Sequence, residues 1–379
     1  MREPLRGSLK DSLAIGIDMS SVATAHRTGV PTYIAELVAH LAAADTTNVY
    51  YLCYRLSRIK RRTHFITVAS SNFRTRIFQE PFTPFLRTRL DVFHGPDARL
   101  PQFGRVPLIA TVFDLFSLVS TEFSTEKFRE MKRRRYRDIA ARAAHIITLS
   151  ESTKREVVEL LHVPPDRVTC VYPGVSRAYK PQSRQNCLEA RAKYGIKTDY
   201  LVCVGNISKR KNTERLVEAF AMLPASLLKN LTLVLAGRES YGSADVRKRI
   251  AALSLEDKVL LTGYVPQHDL PRIVGGARAA GLPSLYEGFG FPVLEAMASA
   301  VPLVTSNVSS LPEVAEDAAL LVDPHDTREI RSAIERVLTD PALREELKVK
   351  GLDRSSQFSW ENTAALTLTL YQKVARQGC

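Results

Sequence analysis

The chain has 379 residues, of which 45% are apolar and 25% charged, and it carries a formal charge of +13. That length exceeds one ordinary core and suits two domains of roughly 150–200 residues, and the composition excludes disordered and fibrous classes. No apolar run approaches the ~20 residues of a membrane span, and the five cysteines (Cys53, Cys170, Cys187, Cys203, Cys379) lack the spacing of a disulfide framework or a zinc site.

In chain order, residues 13–17 read as a buried strand, followed by a loop with Arg27, Thr28 and Gly29 and by Pro31 in a first helical turn. Ile34, Leu37, Val38 and Leu41 fall on one helix face. A basic cluster follows at Arg55, Arg58, Lys60, Arg61 and Arg62. Val92-Phe93 runs into a loop with His94, Gly95, Pro96 and Asp97, where His94 reads as a structural hydrogen-bonding residue or an acceptor ligand. Residues 107–112 form the next buried strand and end at Phe113-Asp114. Lys127, Arg129, Lys132, Arg133, Arg134, Arg135 and Arg137 crowd a second basic segment, and residues 132–135 cover a whole helix circumference. Residues 146–149 and 168–171 read as strands, with Thr153 and Glu156 as a capping box between them. A turn-rich stretch from Tyr172 to Asn186 reads as the linker.

The second half repeats the opening plan: a strand at 200–204, a basic loop at 205–212, and a helix capped by Thr213 that carries Leu216, Val217 and Phe220. Strands are expected at 231–236, 259–261, 279–283, 303–304 and 319–322, with helices between them. Two like openings predict an α/β protein of two Rossmann-like domains facing one cleft, at 1–180 and 181–359. Charge divides the halves: residues 1–180 hold 28 Lys/Arg against 17 Asp/Glu, a net of +11, and residues 181–379 hold 25 against 23.

The most informative stretch is Tyr286-Glu287-Gly288-Phe289-Gly290-Phe291-Pro292-Val293-Leu294-Glu295-Ala296. It follows a strand and contains a glycine turn, and Glu295 is read as opening a helix. Glycines let backbone N–H groups approach an anion, and a helix N-terminus adds positive charge. A carboxylate there suits sugar hydroxyls, so the local chemistry points to a sugar nucleotide. Arg210 and Lys211 follow a strand and a glycine loop, where fixed cations suit a diphosphate whose charge grows as the bond to it breaks. Asp-x-Asp, Cys/His metal spacing and G-x-S-x-G are absent, so no metal or other cofactor is expected.

The same stretch resembles the E-x7-E signature of retaining GT-B glycosyltransferases of the mannosyltransferase-like group 1 / family 4 type. The resemblance runs through Leu201 to Asn212, Leu235-Ala236-Gly237, Gly263-Tyr264-Val265-Pro266, Ser309 to Val314 and Phe358-Ser359-Trp360-Glu361. It implies that Glu295 binds ribose, Arg210 and Lys211 bind diphosphate, and Glu287 with the amides of Gly288, Phe289, Gly290 and Phe291 holds the donor sugar. Tyr264 lies in a matching block, and Gly29 approaches the donor across the cleft. Many relatives carry His before the first-domain Asp; here Phe113 stands there, leaving Asp114 for substrate positioning or basic assistance. The resemblance also implies that a C-terminal helix, 360–379, packs back on the first domain.

The expected activity is metal-independent, retaining transfer of a hexose, with mannose from GDP-mannose as the leaning, to a saccharide or lipid-linked acceptor in surface polysaccharide or glycolipid assembly. A sugar-nucleotide epimerase of the same fold and an inactive sugar-nucleotide-binding subunit remain the alternatives. The expected partners are a nucleotide-sugar donor, such an acceptor and an anionic membrane surface, not nucleic acid, since no aromatic residues interleave the basic runs. Residues 1–6 lack the apolar core of a secretory signal, so the expected site is the cytoplasm, extending to the inner face of the membrane.

Overall fold

The structure, a computed structural model, describes residues 12–25, 28–80, 90–102 and 106–377. Residues 1–6, Arg27 and Cys379, named above, lie outside the described residues.

Two parallel sheets form the frame. The first holds β1 (Ala14–Asp18), β2 (Val49–Arg55), β3 (Phe73–Phe78), β4 (Val92–Gly95), β5 (Leu108–Val112), β6 (His145–Thr148) and β7 (Val168–Cys170) in the order β3-β2-β1-β4-β5-β6-β7. The second holds β8 (Asp199–Val204), β9 (Leu231–Ala236), β10 (Val259–Gly263), β11 (Ala279–Leu282), β12 (Leu303–Ser306) and β13 (Leu320–Val322) in the order β10-β9-β8-β11-β12-β13. Each sheet therefore reverses direction at one place, between β1 and β4 and between β8 and β11. Ligands of open α/β sheets bind beyond the strand carboxyl ends at such a place.

Central strands are apolar along their whole length because helices cover both faces. All five residues of β5 and all four of β11 are buried. The edge strand β3, Phe-Arg-Thr-Arg-Ile-Phe, has three polar residues at its centre and exposes Arg74 and Thr75, which blunts the edge; that mixed pattern hid it in the sequence. β2 also escaped the sequence reading, although six of its seven residues are buried.

Two caps differ from expectation. The helix Glu151–Leu161 starts earlier than read: Ser150 caps it by accepting from the Thr153 amide, and the Thr153 hydroxyl bonds elsewhere. Asn212, not Thr213, occupies the N-cap of Thr213–Ala221, in left-handed backbone. The final helix, Trp360–Gln377, packs along helix Val30–Ala44 of the first domain. His94 anchors it: one ring nitrogen lies 2.8 Å from the Tyr371 hydroxyl and the other 2.7 Å from Thr111 Oγ1. The ring is wholly buried, which holds its pKa down to about 3, so this histidine is a neutral structural tie rather than an acceptor ligand.

Candidate active site

Hydrogen bonds within the second domain pin the loop after β8. Asn212 donates from Nδ2 to the carbonyls of Pro283 and Pro324, at 2.9 and 2.6 Å, and the Leu285 amide donates to the Arg210 carbonyl at 2.8 Å. These bonds set the two cations against the segment that follows β11. Arg210 Nη1 reaches Glu287 Oε2 at 2.9 Å, Lys211 Nζ reaches Oε1 at 2.5 Å, and Ser284 Oγ donates to Oε1 at 2.9 Å. Glu287 is only 8% exposed. Burial pushes its carboxyl up, but the pull of Arg210 and Lys211 outweighs burial and holds the pKa at about 2. Glu287 is thus a fixed anion, and the triad carries a net single positive charge.

Serines hold the loop around it. The Glu287 amide donates to Ser309 Oγ at 2.9 Å, and Ser310 Oγ donates to the carbonyls of Glu287 and Phe289 at 3.0 and 2.8 Å. The Ser309-Ser310 block, without a role in the sequence reading, is the clamp that shapes the glycine turn. Gly290 has φ 104° and serves as N-cap of the helix Phe291–Ala298. Glu295 therefore sits in the second turn of that helix instead of opening it. Burial raises its carboxyl to about 7, against the opposing influence of Tyr179 and Lys211. Tyr179, from the linker, was not singled out by sequence; its buried hydroxyl faces this carboxyl and favours its charged form.

The first domain meets this loop directly. A Cβ on Gly288 would stand 1.8 Å from the Phe113 carbonyl and 2.7 Å from Asp114 Cβ, so only glycine permits the approach. The Gly288 carbonyl accepts from Ser150 Oγ and Thr153 Oγ1, at 2.7 and 3.0 Å. Glu313 accepts from the amides of Glu151 and Ser152, joining the second domain to a first-domain helix N-terminus. Phe113, in the place of the relatives' His, packs edge-on against Tyr33 with ring centroids 5.1 Å apart. Asp114 is raised by burial; Arg210 and Lys132 pull it down and Glu287 pushes it up.

One cavity of about 290 Å³ collects these groups from both domains. Gly29, Asp114, Arg210, Lys211, Tyr264, Glu287, Gly288, Phe289, Gly290, Phe291 and Glu295 all line it. Every site residue expected from sequence is brought to this wall. Asn206 and Arg238 line it too. Arg238 was missed, although it directly follows Leu235-Ala236-Gly237 at a strand carboxyl end; its guanidinium lies 4.9 Å from the Tyr264 ring centroid. Val30, Phe113 and Asp114 also line a second cavity, of about 500 Å³, in the first domain. Among the described residues, no group of three His, Cys, Asp or Glu is placed to hold a metal, and no helix is long and apolar enough to cross a membrane.

Two Rossmann-like sheets with a bipartite cleft site define the GT-B class of glycosyltransferase fold. Residues 188–354 match the family described as Glycosyl transferases group 1, and residues 27–179 match Glycosyltransferase Family 4. The chain is 34% identical over 287 residues to the O-antigen chain mannosyltransferase B of Escherichia coli, covering 74% of each protein. Among solved structures it resembles sucrose-phosphate synthase from Thermosynechococcus elongatus, with a TM-score of 0.76 at 21% identity over 96% of this chain and 100% of that one. It also resembles Anabaena Alr3699/HepE, solved in complex with UDP and glucose, with a TM-score of 0.73 at 17% identity over 94% and 99%. The chain belongs to the glycosyl transferases group 1 family, and it is a glycosyltransferase.

Proposed function

We propose that the enzyme transfers a hexose, mannose from GDP-mannose, to a saccharide or lipid-linked acceptor in surface polysaccharide or glycolipid assembly, with retention of configuration and without a metal ion. The observation that carries the reading is the Arg210–Glu287–Lys211 triad, set in one cavity with Glu295. The name of the E. coli relative supports mannose and a polysaccharide acceptor; the UDP and glucose bound to the Anabaena protein support a nucleotide sugar.

In this reading Glu295 accepts hydrogen bonds from ribose hydroxyls. Arg210 and Lys211 hold the diphosphate, with Arg238 as a third cation. Glu287 and the turn amides orient the hexose. As the anomeric carbon–phosphate oxygen bond breaks, negative charge grows on the diphosphate, where the two fixed cations stabilise it more than they stabilise the intact donor. That is the service a metal ion gives elsewhere. The acceptor oxygen bonds to the anomeric carbon on the face the phosphate leaves, and its proton passes to the departing phosphate oxygen. No histidine is required at Phe113, and Asp114, at the junction of the two cavities, positions the acceptor hydroxyl.

The basic first half is proposed to attach the protein reversibly to an anionic membrane surface. The support is the 3-10 helix Leu56–His64, which exposes Leu56 (43%) and Ile59 (40%) beside Lys60 and Arg62.

The donor reading is tested by thermal shift against a panel of nucleotide sugars. A ligand at 100 times its Kd should add about 2.7 kcal/mol of stability. GDP-mannose is expected to raise the melting temperature most; no shift with any nucleotide sugar would overturn the reading. NMR of the product should show the donor's anomeric configuration, and turnover should survive a chelator.

A further inference from the structure

The first-domain cavity has a charge pattern that the donor site does not explain. Helix Glu126–Arg142 carries eight cations, of which Lys127 and Arg137 are exposed on its outer side and six fall into two sets. On one set, Arg129, Arg133, Arg134 and Arg142 pair with Glu126, Glu130 or Asp138. The other set, Lys132 and Arg135, lines the cavity of about 500 Å³, and neither pairs with a carboxylate among the described residues. Lys132 lies over the rings of Phe128 and Tyr136, at 5.4–5.7 Å from their centroids, which fixes its position, and it acts on the Asp114 carboxylate only at longer range, without an ion pair. Arg58 and Arg61, from the 3-10 helix that follows β2, line the same cavity and likewise have no carboxylate partner among the described residues. Four cations from two separate elements thus line one space, and none of them closes an ion pair among the described residues.

The cavity's other titratable groups are Asp97, Asp114 and Tyr136, whose hydroxyl donates to the Asp114 carbonyl at 2.8 Å. Asp97 is engaged by the Ser21 hydroxyl. Asp114 stands at the mouth shared with the donor cavity, held between Lys132 on one side and Arg210 on the other. An acceptor bound here would present a hydroxyl near Asp114 and keep any anionic group farther back, against the four cations.

We infer that the first-domain cavity is an anion-binding acceptor site, in which Arg58, Arg61, Lys132 and Arg135 hold a phosphate or diphosphate carried by the acceptor. The enzyme's acceptor class is therefore a phosphorylated one, a sugar phosphate or a lipid-linked diphosphate, rather than a neutral glycan. This rests on the neighbouring cavity being the donor site, and the test separates the two. Guanidinium and ammonium groups bind phosphate oxygens by charge-assisted hydrogen bonds, and loss of two such groups should weaken binding at least about tenfold.

Calorimetry with inorganic pyrophosphate is run on the wild type, on the double variant Lys132→Gln/Arg135→Gln, and on Lys211→Gln. The wild type is expected to show two sites per chain. The double variant should lose the first-domain site and keep the other; Lys211→Gln should do the reverse. Failure of Lys211→Gln alone to remove a site would overturn the donor reading and leave the first-domain result standing. A single wild-type site, or two sites both indifferent to the double variant, overturns the inference. Both side chains are half-buried at the cavity wall, so the double variant should still fold and melt within about 4 °C of the wild type. Titration with a hexose 1-phosphate and with farnesyl diphosphate then assigns the source: the ligand whose binding falls most in the double variant is the acceptor chemistry. Equal binding of both ligands by wild type and double variant also overturns the inference.

Discussion

Replacing Glu287 with Gln removes one charge and almost no volume, so it isolates the electrostatic work of the triad. The carboxyl is 8% exposed and faces Arg210 and Lys211 at 2.9 and 2.5 Å. Its pKa falls from an ordinary 4.5 to about 2 in the fold, which at 1.36 kcal/mol per unit is about 3 kcal/mol of stability. That agrees with the ~3–5 kcal/mol typical of breaking one side of a buried ion pair. For a domain of this size, the loss should lower the melting temperature by about 6–12 °C at pH 7. Its pH dependence has a definite sign. Because the folded pKa is depressed, the stabilisation is complete above about pH 4.5 and disappears as pH falls toward 2. The gap between wild type and Glu287→Gln should therefore close over that window. A nucleoside diphosphate brings the negative charge that the variant lacks, so it should bind the variant at least as tightly as the wild type while turnover drops. Differential scanning calorimetry at pH 7, 4 and 3, with and without GDP, measures all of this. A drop below about 2 °C at pH 7, or a gap that does not narrow with acid, would refute the reasoning.

Three further outcomes follow from the site. Glu295 is raised to about 7, and in its proposed role it accepts from ribose hydroxyls in the ionised form; guanosine affinity should then weaken by up to about tenfold per pH unit below 7, and Glu295→Gln should abolish that slope, as read by calorimetry from pH 5.5 to 8.5. Gly288→Ala should leave nucleotide binding nearly intact but cut turnover by about 10²-fold, because its Cβ would meet the Phe113 carbonyl at 1.8 Å and hold the cleft open; turnover equal to wild type would exclude direct apposition of the domains during catalysis. In vesicle sedimentation, binding should require anionic lipid, weaken with salt, and fall in Ile59→Ser/Lys60→Gln/Arg62→Gln while persisting in Arg133→Gln/Arg134→Gln, whose charges already pair with Glu126 and Glu130.

Much of the proposed donor site was legible because its signals are local. A glycine turn between a strand and a helix, with carboxylates at fixed spacing, points to an anion and hydroxyl site without a contact map. Arg238 was legible in principle, since its strand end parallels Gly205, but one arginine among 53 Lys/Arg residues carries no signal until its strand is placed beside β8. Tyr179 and the serine clamp were hidden more deeply. Their partners lie far off in sequence: 116 residues separate Tyr179 from Glu295, and 22 separate Ser309 from Glu287.

The basic first half shows the same division. Composition gave a net of +11 and two clusters, and a helix wheel could say only that some of residues 132–135 must face outward. Which arginines pair with Glu126 and Glu130, and which face a cavity, depends on how the helix is rotated against its neighbours. What the amino-acid order determined by itself was the alternation of buried strands and helices, the two repeated openings and the placing of Glu287, Glu295, Arg210 and Lys211 beside strand ends and a glycine turn, because periodicity and turn residues act over a few positions. Only the tertiary structure decided that Asp114 stands between two cavities, that Gly288 touches Phe113 and that His94 is a tie for the last helix. Those facts need two sheets brought face to face, and burial, which sets each pKa in the cleft, is a property of that packing.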